Sequence, residues 1–394
     1  MAALVLKRAA PLDRLRAGHP WIYRGEIADL RGPWSPGDVV DVLDGAGHLV
    51  GRGTYNPRTS LACRLFAGRG EAVDEALVRR RVAAALAYRR AAGLAGDAFR
   101  LVWSEADGLP GLVVDAYGPV TILQCLTLGM TRLVSWVVAA LCETRPGSRL
   151  YRWDDAAAAR IEGFTPERGW IDPAGDPAPA EVIVAEGDCR FAVTIGEGHK
   201  TGLYLDQREN RPAVAAHAGG RRVLDAFCYT GAFACHALRA GAAGALLVDS
   251  SAEALAGARR NLELNGVAER AELREGNAFD ELRQLERRRE RFGLVVLDPP
   301  PFTRRKDALD AAARGYKEIN LRGLRLLEPG GVLATFSCSH HVTPALFESI
   351  CRDAAGDAGV TVRVLEVLGQ ARDHPVVLTV PETRYLTGLL LQAV

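Results

Sequence analysis

The sequence predicts an α/β chain in three parts: a small β-rich module, a mixed α/β middle, and a larger doubly wound parallel sheet. Three observations carry this. From about Glu181 onward, short apolar runs alternate with helical patterns, the order that yields parallel strands joined by helices. Residues 1–70 hold short strand-like runs cut by turn residues. The Pro- and Gly-containing stretch 172–180 reads as a linker. The expected division of the 394 residues is 1–70, 71–180 and 181–394, each long enough to bury a core.

In the first part the runs Val39–Leu43, Leu49–Gly53 and Leu61–Leu65 read as strands, with Asp44-Gly45-Ala46-Gly47 as a turn. A helix is expected from near Asp74 to Ala92, with apolar residues at Leu77, Val82, Leu86 and Leu94 and arginines on the other face. Gly111–Asp115 and Val120–Gln124 read as strands, and Arg132–Cys142 as a helix. In the last part the expected strands are Arg222–Ala226, Gly244–Asp249, Ala271–Leu273, Gly293–Leu297 and Gly331–Phe336. Helical patterns near 231–241, 252–265, 280–289 and 311–327 separate them, and no internal repeat is evident.

Composition excludes several classes. With 48% hydrophobic residues, 25% charged residues and a net charge of +1, the chain is neither a polycation nor a disordered tail. The apolar run Val134–Cys142 is about half the ~20 residues a membrane span needs. An apolar patch before Lys7-Arg8 is the reverse of a secretory signal, so a cytoplasmic, membrane-free setting is expected. Eight cysteines without a Cys-x-x-Cys pair suit neither a disulfide framework nor a zinc ribbon. His340 and His341 are adjacent, point apart and lack helical i, i+4 spacing, so no metal is expected. Cys125, Cys142 and Cys351 have apolar neighbours and read as inert core thiols, and Cys228 and Cys235 as structural. Arg287–Arg291 reads as a solvated helix end.

The strand ends suggest a cofactor site. The first strand of the last part runs into Asp225-Ala-Phe-Cys-Tyr-Thr-Gly231. A pyrophosphate-binding turn would carry Gly-x-Gly-x-x-Gly there; only one glycine is present, and Phe227 and Tyr229 stand where small residues would be. S-adenosylmethionine has no phosphate and tolerates a bulkier turn. Asp249 ends the next strand, 24 residues after Asp225, close to the ~20 at which an acid reaches a ribose hydroxyl. Asn277 follows the third strand and is placed for the adenine. Each strand-end acid alone is better explained as a helix cap. Their order together with Thr230, Gly231 and Asn277 favours the cofactor.

Two further strand ends carry chemistry. Gly293–Leu297 runs into Asp298-Pro-Pro-Pro-Phe302, and Gly331–Phe336 into Ser337-Cys338-Ser339. In an open α/β sheet both loops lie at the carboxyl ends of the strands, where ligands bind. Carbon 5 of cytosine is a poor nucleophile until a thiolate adds to carbon 6 and makes the ring enamine-like. Cys338 suits the nucleophile and Asp298 the acid at the N3 edge of the base. Residues 1–69 hold ten Lys+Arg against six Asp+Glu, which suits a nucleic-acid-facing module. There the segment His19–Arg24 reads as exposed and offers Trp21 and Arg24 to RNA, although an aromatic also suits a core. Only four lysines occur against 45 arginines; Lys200, Lys306 and Lys317 lie in the last part, and Lys317 is the third residue expected on the RNA side.

Across the whole chain, the segments His19-Pro-Trp-Ile-Tyr23, Leu109–Asp115, Gly198–Arg208, Phe227–Gly231, Asp298-Pro-Pro, Arg314–Asn320, Phe336–Ser339 and Asp373-His-Pro375 resemble the RlmI-like 23S ribosomal RNA cytosine-C5 methyltransferases. The resemblance implies an amino-terminal PUA domain, a middle α/β domain and a class I (Rossmann-like) methyltransferase domain. It implies Cys338 as nucleophile, and Gln207, Asp225, Asp249 and Asn277 around S-adenosylmethionine. The implied partner is 23S ribosomal RNA or a large-subunit assembly intermediate, and a homodimer is compatible with the sequence. Pro301, where lysine is expected in such proteins, and His340, where glycine is expected, depart from the pattern beside the base pocket. Methylation of guanine N7 or N2 without a covalent intermediate is the rival chemistry, and a non-catalytic ribosome-assembly protein the rival class.

Overall fold

A computed structural model describes residues 2–94, 96–171, 180–196, 202–303, 308–339 and 341–394. Most of the linker at 172–180, residues 198–201 with Lys200, Lys306 and His340 lie outside the described residues. The chain forms two compact units. The first comprises residues 1–182, 194–201 and 372–383; the second comprises 183–193, 202–371 and 384–394.

The first unit holds two sheets. Six strands pair in the order Trp21–Tyr23, Leu61–Ala67, Leu49–Tyr55, Val39–Leu43, Ala3–Leu6, Ile27–Arg31, antiparallel except where Ala3–Leu6 runs parallel to Val39–Leu43. Alternation of apolar and polar residues puts Leu4, Leu6, Val40, Val42 and Cys63 into one core. Five more strands pair in the order Arg168–Trp170, Arg149–Trp153, Val120–Cys125, Leu112–Tyr117, Ala98–Trp103. The helices Glu75–Ala91 and Leu128–Thr144 pack on this five-stranded sheet in a second core.

Helix Glu75–Ala91 starts where expected, because the Asp74 carboxylate accepts from the Leu77 amide at 2.8 Å. One arginine departs from the expected outer face. Arg89 continues the Val82, Leu86 spacing, is fully buried, and pairs through both terminal nitrogens with Asp107. Helix Leu128–Thr144 brings a correction: Cys142 is exposed, not a core thiol. Met130, Leu133, Val137, Ala140 and Leu141 form the buried face, and position 142 lies one residue off it.

The carboxyl-terminal segment 372–383 completes the first unit. Asp373, fully buried, accepts from the Arg100 amide at 2.9 Å, and its carbonyl accepts from Arg89 at 2.7 Å. His374 bonds the same carboxylate at 2.8 Å and lies against Trp103.

In the second unit seven strands form one sheet: β1 (Arg222–Ala226), β2 (Gly244–Asp249), β3 (Ala271–Glu275), β4 (Phe292–Leu297), β5 (Leu327–Ser337), β6 (Val362–Gly369) and β7 (Thr387–Ala393). Their order is β3-β2-β1-β4-β5-β7-β6. The first five are parallel, with β1 at the centre beside β2 and β4. β7 runs antiparallel between β5 and β6, a departure from the all-parallel sheet expected from the sequence. The order reverses beside β1, which opens a crevice at the carboxyl ends of the strands. One face is packed by Leu246, Val295, Leu297, Ile319, Leu333 and Phe347. Arg287–Arg289 and Arg291 are exposed, as read from the sequence.

Candidate active site

All the expected cofactor and catalytic residues lie in the second unit, at strand ends or on the loops that follow them, except Gln207, which lies in the short helical turn Leu205–Gln207. The first loop leaves β1. Phe227 (φ 64°), Tyr229 (φ 49°) and Gly231 (φ 72°) occupy the left-handed region at alternate positions. A glycine-rich turn would use the same region freely. Here two aromatic residues hold it at a cost of about 1–3 kcal/mol each. Two carboxylates secure the strained turn. Asp249, ending β2, accepts from the Tyr229 amide at 2.9 Å and from the Ser251 amide at 3.0 Å. Asp225 is buried and accepts from the Ala234 amide at 3.1 Å, in the first turn of helix Ala232–Arg239. Burial pushes the Asp225 carboxyl up to about 7, a rise the backbone bond opposes and the nearby charges of Asp298 and Asp249 add to.

These positions separate two roles. Asp225 lies beneath the loop and shapes it. Asp249 is half-buried, and two amides leave a carboxylate with further acceptor sites for a ribose diol. Asn277 is exposed at the end of β3 and caps helix Ala278–Arg287 through the Phe279 amide at 3.0 Å. Phe227 and Phe279 meet edge to face at 6.3 Å. A hydroxyl-binding carboxylate, an exposed amide and apolar rings form a donor set that fits a nucleoside without phosphates. Gln207 is buried, and its side-chain oxygen accepts from Asn210 at 2.5 Å. The Thr230 carbonyl accepts from Asn261 at 2.9 Å.

The catalytic loops come from neighbouring parallel strands. Leu297, ending β4, is in register with Thr335 of β5, so Asp298 and Cys338 emerge side by side. The Cys338 thiol points to the Pro299 carbonyl at 3.7 Å. Cys338 is only half-buried, unlike Cys63, Cys125, Cys189, Cys228, Cys235 and Cys351. Burial pushes the thiols of Cys63, Cys125 and Cys351 up to about 12, consistent with inert core groups. Burial also raises the Cys228 and Cys235 thiols.

Two tyrosines that the sequence did not single out join this site. Tyr204 packs edge to face on Tyr229 at 5.1 Å, and its carbonyl accepts from Arg211 at 2.6 Å. Arg211 is itself buried and held by Glu186, which also bonds His236 at 3.1 Å. Burial raises the Tyr204 phenol above its ordinary value, and the charges of Asp298, Tyr229, Asp206 and Cys338 add to the rise. Tyr316 is fully buried and meets Ser339 Oγ at 2.9 Å. Tyr204 lies in a quoted motif, but only the tertiary fold brings it to Cys338.

The expected RNA-side residues are placed differently. The His19–Arg24 segment is not a free surface: His19 and Ile22 are buried, and Trp21 donates from Nε1 to Glu105 at 2.9 Å. The apolar face of the short strand Trp21–Tyr23 points into the core, which the segment's composition did not show. Arg24 is exposed and donates to the carbonyls of Pro57 and Thr59. Lys317 pairs with Asp357 at 2.7 Å. Among the described residues no cluster of His, Cys, Asp and Glu could hold a metal ion, and no helix is long and apolar enough to cross a membrane.

Comparison with known proteins fits this geometry. Residues 164–378 match the S-adenosylmethionine-dependent methyltransferase family, and residues 4–67 the PUA-like domain. A protein of Klebsiella pneumoniae named ribosomal RNA large subunit methyltransferase I is 40% identical over 391 residues, covering 98% of this chain and 96% of its own. One of the same name from Alteromonas mediterranea is 38% identical over 100% of this chain and 99% of its own. A solved structure from Streptococcus mutans, described as an S-adenosylmethionine-dependent methyltransferase, covers 100% of both chains with a TM-score of 0.85 at 19% identity, and so shares the fold. With the cofactor crevice and both domain matches in place, the chain belongs to the ribosomal RNA large subunit methyltransferase I family of S-adenosylmethionine-dependent methyltransferases.

Proposed function

We propose that this enzyme methylates carbon 5 of a cytosine in 23S ribosomal RNA, with Cys338 as nucleophile and Asp298 as the acid at the base edge. The carrying observation is the half-buried Cys338 thiol aimed at the Asp298 loop, 3.7 Å from the Pro299 carbonyl. The name shared by the relatives supports large-subunit RNA as the substrate. Asp249, Asn277, Phe227 and the backbone of 229–231 would hold S-adenosylmethionine, with Asp225 and Gln207 supporting them from below. When bound, the cofactor supplies an electrophilic methyl on a sulfonium.

The chain's own residues do the rest. The Cys338 thiolate forms a bond to carbon 6, and Asp298 hydrogen-bonds the N3 edge as charge moves into the ring. Carbon 5 then takes the methyl, leaving S-adenosylhomocysteine, and gives its proton to water; the C–H electron pair re-forms the C5–C6 double bond as the Sγ–C6 bond breaks and releases the thiolate. The PUA-like module contributes affinity for RNA and no chemistry.

The test uses RNA with 5-fluorocytidine at the target, because fluorine cannot leave as a proton does. The parent enzyme should form a covalent complex. Cys338→Ala should form none and lose methyl transfer while still binding S-adenosylmethionine in calorimetry. A guanine N7 or N2 methyltransferase needs no enzyme nucleophile, so a Cys338→Ala variant with parental turnover would establish that chemistry instead.

A further inference from the structure

The bracket around Cys338 is built from hydroxyls. Ser337 and Ser339, on either side of the nucleophile, are both buried, and the Tyr316 hydroxyl meets Ser339 Oγ at 2.9 Å. The Ser339 amide lies 3.4 Å from Ser337 Oγ. Tyr316 faces inward because helix Leu309–Arg325 buries Ala312, Tyr316, Ile319, Asn320 and Gly323, one helical stripe. Its carbonyl accepts from Asn320 at 2.8 Å.

The same ring also touches the acid's loop. Phe302, four residues after Asp298, packs on Tyr316 with centroids 4.5 Å apart and the rings tilted by 38°. Gly315 permits the approach: a Cβ there would lie 3.0 Å from the Phe302 ring. One side chain therefore joins both loops, by its hydroxyl to the thiol's neighbour Ser339 and by its ring to Phe302 on the acid's loop.

A core has no need of this arrangement. The buried hydroxyls of Tyr316 and Ser339 must satisfy each other, and apolar groups of the same shape would pack about as well. What the hydroxyls add is direction. We propose that Tyr316 is a positioning residue that fixes the Cys338 thiol against the Asp298 loop, so that sulfur and base carbon meet at attack distance. This rests on Cys338 being the nucleophile.

The experiment compares full-length Tyr316→Phe, Ser339→Ala, the double variant and Cys338→Ala. It measures kcat, KM for RNA, S-adenosylmethionine affinity, thermal unfolding and the rate of 5-fluorocytidine trapping. Tyr316→Phe keeps the ring against Phe302 and loses only the hydroxyl. Its kcat and trapping rate should fall about tenfold to hundredfold, as for a reacting group displaced by a fraction of an ångström to one. KM and cofactor affinity should stay within about twofold. Ser339→Ala should reproduce the loss, and the double variant should be no worse than the weaker single, because both cut one bond. A folded Tyr316→Phe enzyme with parental kcat and trapping would overturn the proposal, as would losses that multiply in the double. Should Tyr316→Phe not fold, Ser339→Ala decides alone, and parental kcat there overturns it equally. Cys338→Ala keeps the two readings apart. If it retains turnover, the nucleophile assignment is wrong; if it is dead while Tyr316→Phe is normal, only the positioning role is wrong.

Discussion

Asp225 ties protonation to folding. Its carboxyl is raised from 3.8 to about 7 by burial, so the folded state binds its proton more tightly than the unfolded chain does. The sign follows: this stabilising contribution is complete below about pH 4 and is lost as pH rises through 7. Asp225→Asn should therefore flatten the dependence of unfolding free energy on pH between about 4 and 7, measured by denaturant titration. A variant with the parental slope would show that Asp225 titrates normally. Residue-scale chemistry of this kind is only partly legible in a sequence. Asp298 and Cys338 could be read because each sits at the end of an apolar strand run. Tyr204 and Tyr316 could not, because their placement around the Asp298 and Cys338 loops depends on segments far apart in the chain.

At the scale of elements, the turn after β1 is the most constrained piece. Gly231 has a positive φ, and a Cβ there would lie 2.9 Å from Leu247 Cδ2 and 3.1 Å from Ala258 Cβ. Gly231→Ala combines left-handed strain with overpacking, so it should lose about 2–4 kcal/mol of stability in chemical denaturation. A loss under about 0.5 kcal/mol would mean the turn relaxes freely. The five parallel strands and their helices were legible because apolar runs and helical periods alternate without interruption. The antiparallel end of the sheet was not. β6 leaves Arg363 to Val367 exposed, including Val364 and Val367, so it shows no alternation. β7 is buried from Thr387 to Leu391, and a continuous apolar run does not disclose its direction. The pair Glu181–Glu186 and Cys189–Thr194 did carry a period-two signal in Val182, Val184, Phe191 and Val193, which the linker composition beside it obscured.

For the whole molecule, RNA affinity should follow the charge of the PUA-like module. Its local excess of four positive charges includes the exposed Lys7 and Arg8. Replacing both with alanine should raise KM for RNA and reduce the log–log salt slope by about 2, with kcat unchanged. An unchanged slope would place the RNA elsewhere. Removing the module outright is a poorer test, since buried Glu162 relies on Asn56 and Arg64 from it.

The segment 372–383 sets the order in which this protein can mature on the ribosome. An amino-terminal unit ordinarily folds while the rest of the chain is still being made. Here Arg89 and Arg100 reach Asp373, a residue synthesised more than 250 positions later. At about 5–20 residues per second, the stretch from residue 201 to residue 383 takes about 9–36 s to make, and the first unit waits that long for its last segment. In that interval the guanidinium of Arg89 has Asp107 but lacks the Asp373 carbonyl, and the amide of Arg100 has no carboxylate. Nascent chains stalled before residue 372 should accordingly be cut by protease within the first unit, and chains stalled well past residue 383 should resist. Equal resistance in both would show that the unit closes without its final segment.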